Sequence, residues 1–272
     1  MADRYSLRSR STARRIGQRT YFVKQTPANS GKLIVLVEGS FDSMFYSMMF
    51  DTSKVILTPT GGVDNMDDLI KEYTKNNKEY LAIKDSDFNR FRSSASLPAV
   101  FYTDEHDAEM SFFKDSSSAA RFEKQLSLDS KVIDYNSAFS ELEDYSYYKL
   151  GNILYTCYID FEMIDDAVRT EDIIDYKYVD SHVAKMHNAK PLQLGVFNSL
   201  KRTYPYNRHV YSLVNGHDFL NRLCHQIGEN KIDEKYMRRV LMKTTCLDTF
   251  KTMSLYSAIG QWESKHYTIL QK

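Results

Sequence analysis

The sequence predicts an α/β protein: a mainly parallel sheet flanked by helices, with a C-terminal region that is mostly helical. Two patterns carry this. Up to residue 104, short β-branched apolar runs alternate with helical periodicities, as right-handed βαβ crossovers in an open sheet require. From residue 105 onward, strand-like runs become scarce and apolar residues recur at helical spacing.

The run "KLIVLVEG" (32–39) is continuously apolar and β-branched, then ends in Gly39, as a strand buried on both faces does. "SFDSMFYSMMF" (40–50) follows with Ser40 as a natural N-cap and apolar residues at helical spacing. "SKVILTPT" (53–60) is a second strand and Gly61-Gly62 a turn. "VDNMDDLIKEYTKNN" (63–77) has an acidic first turn, which the helix macrodipole favours. "EYLAIKD" (79–85) and "AVFYTD" (99–104) are the third and fourth strands. Helices are expected over 107–126, 217–229, 234–246 and 247–265, and 143–161 is ambiguous between helix and strand. The many tyrosines suit half-buried packing with the hydroxyl at the rim, or a stacking surface for bases.

Composition bounds the function. With 42% hydrophobic residues in 272, the chain can bury a core for one large domain or two small ones. A formal net charge of zero supplies no global field for nucleic acid, so that role needs local patches. Cys157, Cys224 and Cys246 lie far apart, which suits a reducing cytosol and argues against a disulfide framework. Cys224-His225 lacks the partner pair of a zinc motif, so an ordinary buried thiol is expected there. No apolar run reaches the roughly 18 residues of a membrane span, and a cytoplasmic protein without a membrane partner is expected. The Arg- and Ser-rich N-terminus has no apolar core, unlike a secretory signal. It suits a flexible solvated tail, or an arm that contacts phosphate or an acidic partner.

Carboxylates gather at the predicted strand ends. Glu38 closes the first strand and Asp42 sits in the next helical turn. Asp85 and Asp87 close the third strand, and Asp104, Glu105, Asp107 and Glu109 surround the junction after the fourth. Singly, each suits helix capping or an Asx turn. Together they form a set of like charges at the edge where open α/β sheets bind ligands, and divalent cations relieve such repulsion. Asp85 and Asp87, two apart, project to one side if the strand continues through them. Lys84, Arg90 and Arg92 are interleaved and are candidates to contact substrate phosphate. His106 and His217 stand beside acids and suit a structural role or the orientation of a carboxylate ligand.

A strand ending in "EG", an Asp in the following helix and a later strand ending in "DxD" resemble the TOPRIM pattern; "LVEGSFD" and "AIKDSDFNR" match it in order and spacing. "HDAEMSFF", "NGHDFL" and "SAIGQWE" extend the resemblance to OLD-type TOPRIM nucleases, some of which serve anti-phage defence. The resemblance implies a metal-dependent endonuclease acting on DNA or RNA. Glu38, Asp85 and Asp87 would be its catalytic acids, and Glu38, Asp42, Asp85, Asp87 and Glu109 its ligands for one or two Mg²⁺ or Mn²⁺ ions. "TPTGGVD" carries no GK[ST], so the chain is not itself a P-loop ATPase. The resemblance therefore implies a separate ABC- or AAA-type ATPase as regulator, and it admits a homodimer. The alternative is a TOPRIM-shaped module that binds metal or nucleic acid without cutting. The expected organisation is a basic segment over 1–30, a TOPRIM-like domain over 31–115 and a helical region over 116–272.

Overall fold

The first apolar run is the strand β1 (Leu33–Val37), and all five of its side chains are buried. It is central in the computed structural model, which describes residues 12, 15–20, 23–92, 97–128, 131, 133–228, 232–266 and 268–271. With β2 (Val55–Pro59), β3 (Tyr80–Lys84) and β4 (Val100–Tyr102) it forms one four-stranded sheet in the order β2-β1-β3-β4. Every pairing is parallel. Parallel strands covered on both faces need apolar side chains at consecutive positions, which is why β1 does not alternate.

Helix α1 (Ser40–Ser47) connects β1 to β2, and α2 (Val63–Lys75) connects β2 to β3. One sheet face, with Ile34, Leu36, Tyr80 and Ala82, packs on Met66, Leu69, Ile70 and Tyr73 of α2. Ser40, expected to cap α1, is its first helical residue; the cap is Gly39, whose N–H donates to Asp42 Oδ2 at 2.7 Å. Within the basic N-terminal stretch, residues 15–20 are helical, Ile16 packs on the α2 cluster and Thr20 is buried. This part of the expected solvated tail is docked, because Ile16 supplies an apolar contact. Residues 1–11 lie outside the described residues.

The chain divides into two compact units. The first comprises Met1–Asp85, Ser94–Asp104 and Cys246–Lys272, so the C-terminal segment returns to the sheet and the expected contiguous boundary near 115 is replaced. Two helices explain the return. Phe250 in Leu247–Lys251 meets Phe45 at 4.9 Å, and Trp262 in Ser254–His266 meets Phe101 at 6.3 Å. Both Asp104 oxygens accept backbone N–H groups at the start of the latter helix, from Ser254 at 2.6 Å and Leu255 at 2.7 Å.

The second unit, Ser86–Ser93 and Glu105–Thr245, is helical. The helix expected over 107–126 is two, α3 (Ala108–Lys114) and α4 (Ser116–Leu128). They break at Asp115, whose Oδ2 accepts Ser118 N–H at 3.0 Å and the hydroxyls of Ser117 and Ser118. Helices α5 (Tyr135–Glu141), α6 (Glu143–Tyr155), α7 (Ala167–Thr170), α8 (Tyr176–Val183), α9 (Leu194–Thr203), α10 (Tyr206–Leu213), α11 (Gly216–Ile227) and α12 (Glu234–Thr244) follow. The ambiguous segment 143–161 thus begins as helix.

Tyrosines fill this core as structural groups. Tyr145, Tyr147 and Tyr148 are fully buried, and their hydroxyls donate to Asp165, the Tyr204 carbonyl and Asp180. Arg222 of α11 is also buried. It pairs with Glu141 and donates to the carbonyls of Glu171 and Asp172, which satisfies a charge too costly to bury alone. Among the described residues, no helix is long and apolar enough to cross a membrane.

Candidate functional site

The strand order places a topological switch between β1 and β3: the chain leaves β1 for β2 on one side and returns to β3 on the other. Crevices outside the carboxyl ends of strands at such points are the usual ligand sites of open α/β sheets. Glu38 follows β1 and Asp85 follows β3. Glu38 Oε1 accepts the Asp85 N–H at 3.1 Å, which ties the acid of one strand end to the backbone of the next. The glycine turn after β2 holds Glu38 from its other neighbour. Gly61 and Gly62 N–H donate to the Glu38 carbonyl at 2.9 and 3.1 Å. Both have positive φ, 72° and 116°, and the second is accessible in practice only to glycine.

The other expected residues of this unit are engaged locally. Asp42 bonds the Gly39 N–H, the reciprocal half of a capping box. Lys84 Nζ lies 2.7 Å from Asp67, so its charge is balanced within the sheet unit.

Asp87 belongs to the second unit. β3 ends at Lys84, and Asp87 takes a left-handed φ of 43° while its N–H donates to the His106 carbonyl at 2.7 Å. The expected projection of Asp85 and Asp87 to one side of a continuing strand therefore fails, because the chain turns between them. Asp87 lines a cavity of about 340 Å³ with Phe88, Asn89, Arg92, His106 and Lys149. His106 is buried, edge-on to the Phe88 ring, with Nδ1 3.3 Å from Asp107 and 4.0 Å from Asp87. Arg92 donates to the Ile153 carbonyl. Lys149 is bound to Asp218 at 2.7 Å.

The segment around His106 is fixed by buried acids. Glu105 pairs with Lys114, lies 3.4 Å from Arg90 and accepts the Ser212 hydroxyl. Asp107 caps α3 by accepting Met110 N–H at 2.9 Å and also accepts Gly216 N–H at 2.6 Å, at the start of α11. A Cβ on Gly216 would come within 2.5 Å of Glu109 Cβ, so the close approach requires glycine. Glu109, expected as a metal ligand, is buried and pairs with Arg238 at 2.9 Å. Arg238 also holds Glu234, which lies 2.9 Å from His217. The Glu234 hydrogen bond holds His217 above its ordinary pKa of 6.5. Burial pushes Glu234 up, but His217 and Arg238 outweigh it and leave Glu234 below its ordinary range. Burial drives the Cys224 thiol up to about 12, so it stays protonated, as expected of a buried thiol.

Glu38 and Asp85 are hard oxygen donors on adjacent strand ends. Among the described residues, no three His, Cys, Asp or Glu side chains are grouped to hold a metal ion. Two carboxylates still fit Mg²⁺, which keeps several waters and takes phosphate oxygens in place of a full protein cage.

Lys149 and Asn215 were not singled out by sequence, although both line the cavity with Asp87. A trace of Lys149 is present: it interrupts the aromatic run "YSYYKL" on α6. The chain matches no family model, no curated protein and no solved structure.

Proposed function

We propose that the chain is a Mg²⁺- or Mn²⁺-dependent endonuclease that hydrolyses phosphodiesters of DNA or RNA. One observation carries the reading: Glu38 and Asp85 stand linked at the carboxyl ends of β1 and β3, at the switch point of an all-parallel sheet. Two like charges so placed are relieved by a cation. When bound, the cation supplies Lewis acidity and an activated water. Glu38 and Asp85 hold it at the sheet edge, and the Gly61-Gly62 turn fixes the backbone of Glu38.

The motifs that resemble OLD-type TOPRIM nucleases support extending the proposal to a cytoplasmic anti-phage effector. An ABC- or AAA-type ATPase would control it in trans, since the chain has no phosphate loop of its own. The test is incubation of purified chain, with and without a co-expressed ATPase, with DNA and total RNA plus Mg²⁺ or Mn²⁺. Cleavage that Glu38→Gln and Asp85→Asn abolish, with the fold intact by circular dichroism, supports the reading. Undiminished cleavage by both variants overturns it.

A second reading, a binding or scaffold module that does not cut, is favoured by one set of facts. Asp42 serves as a cap, Glu109 is paired with Arg238, and Lys84 is paired with Asp67. Metal-dependent nucleic-acid binding without cleavage under every condition would select it.

A further inference from the structure

The second unit holds a larger cavity that the nuclease reading does not use. Its volume is about 530 Å³, within the range of small-ligand sites. The rings of Tyr135, Phe139, Tyr206 and Tyr211 line it. Two carboxylates, Glu123 and Glu143, are also in the lining. Burial raises the Tyr135 and Tyr206 hydroxyls above their ordinary pKa, and the charges of Glu123 and Glu143 respectively add to the shift. Both phenols stay neutral, and the Tyr206 hydroxyl donates to the Phe139 carbonyl at 2.5 Å. Lys114 also lines the cavity, with its ammonium on Glu105.

The same unit twice builds this kind of enclosure around one of its own lysines. Lys201 Nζ lies 5.6 Å from the Tyr147 ring centre and 5.5 Å from that of Phe197, with Glu143 at 2.6 Å and Asp144 at 2.8 Å. Lys149 Nζ lies 4.7 Å from the Tyr145 ring centre and 5.5 Å from that of Phe161, with Asp218 at 2.7 Å. Ring faces carry the negative lobe of the quadrupole, and a carboxylate at the edge adds a full charge, so such boxes select cations.

We propose that this cavity is a binding site for a small free organic cation, an ammonium or guanidinium compound, held between the tyrosine faces with Glu123 at its mouth. Glu143 is already shared with Lys201, so exposed Glu123 supplies the selecting charge. The site is independent of the sheet-edge acids.

The test is isothermal titration of the full chain with agmatine, beside an uncharged amide analogue of the same length. Saturable binding of agmatine alone is expected. Glu123→Gln should weaken it about tenfold, the size of one cation–carboxylate or cation–π contact, without moving the thermal melt. Glu123→Lys should abolish it by placing a tethered ammonium at the mouth. Equal binding of the neutral analogue, no binding of agmatine, or unchanged affinity in Glu123→Gln would overturn the proposal. Tighter binding of an arginine-containing peptide than of agmatine would overturn the assignment to a free ligand.

Discussion

At the scale of single residues, Asp87 joins a proposed catalytic role to a backbone constraint. Its left-handed φ is one that Asp and Asn tolerate better than other non-glycine residues. Asp87→Asn should therefore keep stability close to wild type, while Asp87→Ala should cost about 1 kcal/mol in urea melts. If the reading of the acids is right, both should lose cleavage, which separates chemistry from strain. His217 gives a pH dependence with a definite sign. Its folded pKa is raised, so its bond to Glu234 contributes stability in full below the unfolded value of 6.5 and loses it as pH rises through the folded value. Glu234 is depressed, so its contribution is present above its unfolded value of 4.5 and is lost as pH falls through the folded one. Because the imidazole is largely exposed, the effect should stay within about 1 kcal/mol. His217→Gln should flatten the loss of stability above pH 6.5 in melts run across neutral pH. A variant that keeps the wild-type slope would show that the pair is silent.

At the scale of elements, the sharpest constraint is the seat of α11 against the acidic segment. A Cβ on Gly216 would meet Asp107 Oδ1 at 2.6 Å as well as Glu109 Cβ, and both neighbours are buried. Gly216→Ala should cost roughly 1–3 kcal/mol, read as a shift in the urea midpoint at constant slope. The sequence made some elements legible and hid others for physical reasons. β1 and β3 stood out because central strands buried on both faces are apolar almost throughout. The break at Asp115 was hidden because "KDSSS" lies inside an unbroken helical period, and only the side-chain bonds of Asp115 reveal a new N-terminus. Glu38 and Asp85 were legible because they abut the apolar runs. The divergence of Asp87 was not, since nothing in "KDSDF" announces a positive φ.

At the scale of the molecule, the sheet unit is completed by the end of the chain. Phe50 bridges Leu270, Asp51 N–H donates to the Ile269 carbonyl at 2.7 Å, and Phe250 is fully buried. Truncation after Thr245 should strip this cover and make the sheet unit sensitive to limited proteolysis; a truncated chain as resistant as the full one would contradict that. The central claim is that Glu38 and Asp85 hold a divalent cation at the switch point. A ligand that binds only the folded state stabilises it by mass action, so thermal melts with and without millimolar Mg²⁺ read the site directly. The account predicts that Mg²⁺ raises the melting temperature of the wild type and leaves Glu38→Gln and Asp85→Asn nearly unmoved. Equal Mg²⁺-induced shifts in all three proteins would contradict it.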